Sequence, residues 1–288
     1  MTHLTKHPES NAGVSLQCGS RTDVGRKRSY NEDSLLAASP VFIVSDGMGG
    51  LEAGHRASAA VIAEFQSCVG RTSVPAGDVV AAVDRAHSAV RAVANTTVRG
   101  AGSTLTGLVL VDHENSQHWL IVNVGDSRVY RLHGGQFQQL TVDHSLTQER
   151  IDDGSLLRAD IATFARRNVI TRAMGADHSV ADYWLRPVVT GERLLVCSDG
   201  LTGELTDESI KAGLTLGGTT QQTADLLLAG ALEHGGRDNI SVVVIDVTAG
   251  GISSWQGAAI GSDEHEDTID TRSEDTRPMR RTVRNAAR

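Results

Sequence analysis

Aromatic side chains are nearly missing from this chain: Phe, Trp and Tyr make up 3% of its 288 residues. A core short of rings must be filled by Val, Leu, Ile and Ala, and the 40% hydrophobic content is enough for a large one. Cysteine is scarce too. Cys18, Cys68 and Cys197 stand at unrelated spacings, which excludes a disulfide framework or a zinc site and leaves three reduced thiols. No run approaches the roughly 18 apolar residues of a membrane span. The opening residues, Met1 to Ser10, carry no apolar segment of the signal-peptide kind. Excess positive charge is lacking: the formal net charge is −8, which argues against nucleic acid as a partner. Together these absences point to a soluble, cytoplasmic protein.

What is present is organised around Val41 to Gly50, VFIVSDGMGG. A short apolar run ended by glycines reads as a buried strand that stops abruptly, with Asp46 fixed at its end. Gly47 leaves bare backbone beside it for a ligand to approach. A carboxylate next to an exposed carbonyl suits a hard cation.

The rest of the chain repeats two patterns. Residues 55–69 place Val61, Ile62, Phe65 and Val69 on one helical face, and residues 78–98 do so with Val79, Val83, Ala86, Val90 and Val93. Both read as covers for a sheet. Then come short apolar runs: Leu105 to Val111, His118 to Val124, Val129 to Leu132 and Phe137 to Leu140. Tight turns between them predict an antiparallel meander. Residues 143–175 read as an irregular excursion, Arg193 to Ser198 as a strand, 219–233 as a helix and Ile240 to Val247 as the last strand. From there the composition changes. Residues 250–288 hold seven acids and six arginines without periodicity, which reads as a disordered tail. The expected organisation is a loose lead-in over 1–12, one domain over 13–248 and the tail over 249–288.

Four acids share one local setting. Asp46 and Asp199 each end an apolar strand and precede glycine, Asp126 follows Gly125 at a strand break, and Asp238 opens the final strand. Acids at strand ends on one rim of a sheet assembly can converge, and converged carboxylates stay ionised together only beside cations. That pattern points to a binuclear hydrolytic site.

Eight segments then fall in a known order: RSYNED (28–33), SDGMGG (45–50), GST (102–104), GDSR (125–128), DHS (143–145), ITR (170–172), CSDGLT (197–202) and GRDNI (236–240). In this the chain resembles the metal-dependent protein serine/threonine phosphatases of the PPM, or type 2C, family in their bacterial form. The resemblance implies an α+β fold, a four-layer α-β-β-α sandwich of two antiparallel sheets flanked by helices. It implies two Mn²⁺ or Mg²⁺ ions, with a third, weaker one. Asp46 would bridge two metals, Gly47 would ligate one through its carbonyl, and Asp199 and Asp238 would complete that shell. Asp33, with Glu32, would hold the second metal's waters, and Asp126 the third ion. Arg28 would clamp the substrate phosphate, because its fork suits a phosphate bidentately. A metal-bridged hydroxide would attack phosphorus in phosphoserine or phosphothreonine proteins, reversing a Ser/Thr kinase.

The chain departs from the family's pattern in places. Met48 stands where some relatives carry a histidine acid. Gly203, followed by Glu204, replaces a frequent acid that assists the third metal. His144 is read as a structural residue rather than a proton donor. In the flap region 146–167, Arg150, Arg158, Arg166 and Arg167 read as ordinary solvated charge, with steering of phosphosubstrates as the alternative. Thr268, Thr271, Thr276 and Thr282 in the tail are candidate phosphosites for docking a phosphothreonine-binding domain, against the plainer reading of a solubilising tail. The glycines after Asp46 do not make a dinucleotide fingerprint, since position 52 is Glu. Two competing readings remain: a phosphoprotein-binding module without turnover, and a narrower phosphatase acting on an anti-sigma-factor antagonist.

Overall fold

The computed structural model describes residues 13–50, 52–166, 168–216 and 218–253. The expected lead-in, the tail from residue 254 with its four threonines, and Arg167 lie outside the described residues. In chain order the strands are β1 (Ser15–Asp23), β2 (Asp33–Ala38), β3 (Val41–Met48), β4 (Gly102–Ser103), β5 (Leu105–His113), β6 (Ser116–Val124), β7 (Arg128–His133), β8 (Gln136–Gln139), β9 (Asp182–Pro187), β10 (Arg193–Cys197) and β11 (Ile240–Ala249). The helices are α1 (Glu52–Ala63), α2 (Ala76–Ala94), α3 (Leu146–Asp152), α4 (Asp199–Thr202), α5 (Asp207–Leu216) and α6 (Thr220–Glu233). A capping box from Thr219 and Gln222 starts α6.

The strands form two antiparallel sheets. One has the order β1-β11-β10-β7-β8, the other β2-β3-β5-β6-β9 with the short β4 beside β3. Three apolar layers bind them. Phe42, Val44, Leu108, Ile121, Val196 and Val243 pack between the sheets. Val61, Val83 and Val90 of the first two helices, with Phe65 just past the end of α1, cover β3 and β5. Ile210, Leu214, Ala224 and Leu227 of α5 and α6 cover β10 and β11. The order is helix, sheet, sheet, helix, so the α-β-β-α sandwich holds.

Period-2 alternation decides which residue meets which layer. Along β3, Val41 and Ile43 face the helices while Phe42 and Val44 face the other sheet. Along β10, Leu195 and Cys197 face the helices while Leu194 and Val196 face inward. With both faces buried, these strands read as unbroken apolar runs.

The structure corrects several expectations. The meander is two hairpins in different sheets: β5-β6 in one and β7-β8 in the other, with the chain crossing between sheets at Gly125–Ser127. Helix α1 ends at Ala63, so Val69 is exposed rather than on its apolar face. The strands β2, β4 and β9 and the helices α4 and α5 were not expected from the sequence. β2 is short and mixed, β9 is an edge strand closed by Pro187, and α5 carries a mid-helix glycine. Beyond the expected boundary at 248, β11 continues to Ala249, and Ile252 exchanges backbone hydrogen bonds with Val188 and Thr190.

Candidate metal centre

At one end of the sandwich the inward faces of β2, β3, β5, β6, β7, β10 and β11 turn from apolar to polar. Two residues beyond Val44 on the same face is Asp46, and Asp33 precedes Leu35 in the same phase. Thr106, Asn123, Ser127, Ser198 and Ser241 continue the same faces of their strands, and all five are buried. Acids gather here and not further in because an ion surrounded by side chains is costly without partners.

Asp33 opens β2 directly opposite Asp46 on β3. Asp199 begins α4 and comes within hydrogen-bonding reach of Asp46. Asp126 lies in the crossing between β6 and β7 and faces Asp46 and Asp199. Asp238 precedes β11 and faces Asp199 and Asp33. The structure thus brings these five aspartates together, and Glu32 lies beside Arg28 and Asp238 at the edge of the group.

Their electrostatics record the crowding. Burial, then Asp33, Asp199 and Asp126, push the Asp46 carboxyl well above its ordinary range. Burial, then Asp238, raises Asp199. Asp33 is pushed up to about 7, chiefly by burial and then by Asp199 and Asp238, against the Ser198 and Ser241 bonds that lower it. Asp126 is pushed up to about 8 by burial, Asp199 and Asp143. Glu32 is raised as well, mainly by burial.

Arg28 meets this cluster from its rim. Its Nη2 donates to Asp238 Oδ2 at 2.7 Å, and half of its side chain is open to solvent. Gly47 lies within β3, not in the turn beyond it, and its N–H donates to the Glu32 carbonyl. Its missing side chain serves packing first: a Cβ there would sit 2.0 Å from the Gly54 carbonyl of α1. A helix-packing reason for the glycine thus stands beside the expected ligand approach.

The donor set can be tested against a cation. Glu32 Oε1, Asp33 Oδ1 and Asp199 Oδ1 are buried without a hydrogen-bond partner. Buried polar atoms are seldom left so. All are carboxylate oxygens, which hard divalent ions prefer. The residues therefore fit Mg²⁺ or Mn²⁺. The fit rests on those orphaned oxygens and the mutual repulsion, because no three His, Cys, Asp or Glu side chains among the described residues are drawn together as a finished ligand cage.

Small hydroxyls, to which the sequence reading gave no role, fix the acids. Ser198 Oγ donates to Asp33 Oδ2 at 2.8 Å and accepts from the Ser241 amide at 2.9 Å. Thr104 Oγ1 accepts from the Asp46 amide at 2.9 Å, and Ser103 Oγ donates to the Asp46 carbonyl at 2.8 Å. The motif segments themselves were the signal, since each of these residues flanks an acid or lies in GST, GDSR or CSDGLT. Other motif residues are structural. Arg128 grips Asp143 through Nε and Nη2, at 2.9 and 2.7 Å. His144 is buried; its Nδ1 accepts from the Gly125 amide, so Nε2–H donates to Asp182 at 3.1 Å. Glu204 holds Arg237 through Oε1 and Oε2, which commits it to the Asp238 turn. Burial pushes the Cys197 thiol up to about 12, so it is no nucleophile.

The comparisons agree with this geometry. A family model described as protein phosphatase 2C matches residues 25–227. The serine/threonine protein phosphatase PstP of Mycobacterium tuberculosis is 33% identical over 259 residues, an alignment covering 86% of this chain and 49% of PstP. The chain thus spans about half the length of that curated relative. The serine/threonine phosphatase stp of Listeria innocua is 32% identical, covering 78% of this chain and 94% of its own. Among solved structures, the M. tuberculosis phosphatase PstP/Ppp superposes with a TM-score of 0.75 at 32% identity, covering 82% of this chain and all of that one. The PstP catalytic domain in complex with 2 manganese ions gives 0.73 at 32% identity, covering 82% and 99%. Among the described residues no helix is long and apolar enough to cross a membrane. On the matched model, the identities and the shared sandwich, this chain belongs to the protein phosphatase 2C family.

Proposed function

We propose that this chain hydrolyses phosphoserine and phosphothreonine monoesters in proteins, using two divalent ions, Mn²⁺ or Mg²⁺. The observation that carries the reading is the convergence of Asp33, Asp46, Asp126 and Asp199, with orphaned carboxylate oxygens, beneath an arginine at the rim. Asp46, the Gly47 carbonyl, Asp199 and Asp238 would hold the ions, with Asp33 and Glu32 on the second and Asp126 on a third. When bound, such ions supply a water-derived nucleophile at neutral pH and neutralise phosphoryl charge.

The chain's own groups do the rest. Arg28 offers paired N–H donors to a phosphate from the mouth of the site, and its half-exposed position lets a protein-borne phosphate reach it. Ser198 and Thr104 keep the acids from swinging apart. Because both ring nitrogens of His144 are engaged, the proton for the leaving alkoxide is left to water or another group. The substrates are the products of a Ser/Thr kinase, the setting is the cytoplasm, and the catalytic unit runs from residue 13 through Ile252, whose backbone bonds to Val188 and Thr190 extend it past 248.

The test is phosphate release from a phosphothreonine peptide by wild type and Asp46→Asn, with Mn²⁺ binding measured calorimetrically. Turnover abolished by EDTA and by Asp46→Asn supports the reading. Mn²⁺ binding without turnover would leave a phosphoprotein-binding module in its place.

A further inference from the structure

Arg28 rides on residues 24–32, which join β1 to β2 without a helix or strand of their own. A phosphate clamp on an irregular loop needs something to register it. That something is a single buried amide. Asn239, beside Asp238, is 5% exposed. Its Nδ2 donates to the carbonyls of Val24 and Tyr30 at 2.9 Å each. Its Oδ1 accepts from the Glu32 amide at 2.8 Å. Both amide hydrogens and the carbonyl thus point into the same loop, reaching its start, the residue two past Arg28 and its end. The Asn239 backbone meanwhile donates to Asp238 Oδ1 at 2.9 Å. Arg26 adds one bond from the loop to the same turn, its amide to Gly236 O at 2.6 Å, and one to the last turn of α6, its Nε to Leu232 O at 2.8 Å.

We infer that Asn239 is a positioning residue for Arg28, registering the phosphate-binding loop on the turn that carries Asp238. The inference rests on the phosphatase reading. Its side chain meets no carboxylate of the cluster, and its one bond to a cluster residue is to the Glu32 backbone amide, so its removal falls first on substrate handling and less on metal binding. A loop freed to move by an ångström misplaces the guanidinium, and misplacement on that scale costs about 100-fold in rate.

The experiment uses the full-length, Mn²⁺-loaded chain. Asn239→Ala, Arg28→Ala and the double variant are compared for kcat and KM on a phosphothreonine peptide, for Mn²⁺ affinity and for amide hydrogen exchange over residues 24–32. The expected result for Asn239→Ala is a kcat/KM loss of about 100-fold. Exchange in the loop quickens. Mn²⁺ affinity changes far less than the roughly 10- to 100-fold that follows loss of a metal's outer support. The double variant is no worse than Arg28→Ala alone, because the two act as one unit. Arg26→Ala, whose side chain is exposed, gives a smaller loss in the same direction and stands in if Asn239→Ala does not fold. Losses that multiply in the double variant, or Mn²⁺ affinity falling in step with kcat/KM, overturn the inference. If wild type binds Mn²⁺ without turnover, the phosphatase reading fails. Binding of inorganic phosphate then decides the inference: weakening in both single variants supports it, and unchanged affinity in Asn239→Ala overturns it.

Discussion

Ser45-Asp46-Gly47 and Ser198-Asp199-Gly200 spell the same tripeptide after the same kind of apolar strand, yet the chain leaves them by different routes. In the first, β3 continues through the tripeptide to Met48, and Gly47 pairs with Ser103 across to β4. In the second, β10 stops at Cys197 and Asp199 becomes the first residue of α4. The two strands are also out of phase. Asp46 shares the inward face with Phe42 and Val44, whereas on β10 the inward phase falls on Ser198. Asp199 reaches the cluster only because the strand ends and a helical turn swings it back. The serines accordingly do different work: Ser45 ties β3 to Ser103 and the Thr104 carbonyl, while Ser198 holds the Asp33 carboxylate. Identical letters thus give one acid placed by a pleat and one placed by a turn.

Substituting the two acids should erase this difference. Asp46→Asn and Asp199→Asn are both expected to reduce Mn²⁺-dependent phosphate release to background. Retained turnover in either would show that its half of the pair is dispensable. Next in size are the glycines. A Cβ on Gly47 would meet the Gly54 carbonyl at 2.0 Å, and one on Gly200 the Asn239 carbonyl at 1.9 Å. Since both obstacles are backbone, Gly47→Ala and Gly200→Ala should each cost about 2–3 kcal/mol, read as a lowered melting temperature. An unchanged melting temperature in one would mean that its close approach is not maintained.

The acids also link stability to pH. Folded Asp33 keeps its proton up to about pH 7 and Asp126 up to about pH 8, while unfolded aspartates release theirs near their ordinary value of 3.8. Between those values the folded chain binds more protons, so its stability falls as pH rises. The metal-free melting temperature should therefore drop from pH 5 to pH 8, and saturating Mn²⁺ should flatten that slope. A slope that Mn²⁺ leaves untouched would place the cause outside the cluster. Smallest is the serine pair. Ser198→Ala removes a bond to a carboxylate and should weaken Mn²⁺ binding about 10-fold. Ser45→Ala should cost about 1 kcal/mol of stability with little change in metal affinity. Equal effects of the two serines would undo the contrast drawn above.

Asp46, Asp126, Asp199 and Asp238 were legible in the chain, because each stands at a strand end, a glycine or a turn and those breaks survive into the fold, whereas Asp33 and Glu32 followed only from the family resemblance. The covering helices were legible as well, since Val79, Val83, Ala86 and Val90 keep their helical spacing whatever they pack on. The pleat phase of β3 and β10 was not, because strands buried on both faces show no alternation. Nor was the split of the expected meander. A turn at Gly125–Ser127 looks alike whether the next strand pairs with the last one or crosses to the other sheet.

By itself, then, the sequence determined the inventory: an aliphatic core, two helical covers, acids at strand ends and an arginine in a polar loop. Tertiary structure alone decided which sheet each strand joined, which acids met, that Gly47 makes room for α1, and that Glu204 is spent on Arg237. It also decided that Asn239 governs a loop more than 200 positions earlier. The reason is physical. Local spacing fixes a residue's face within its own element, but a carboxylate's neighbours, and the hydrogen bonds of a buried amide, come from segments that only packing brings within 3 Å.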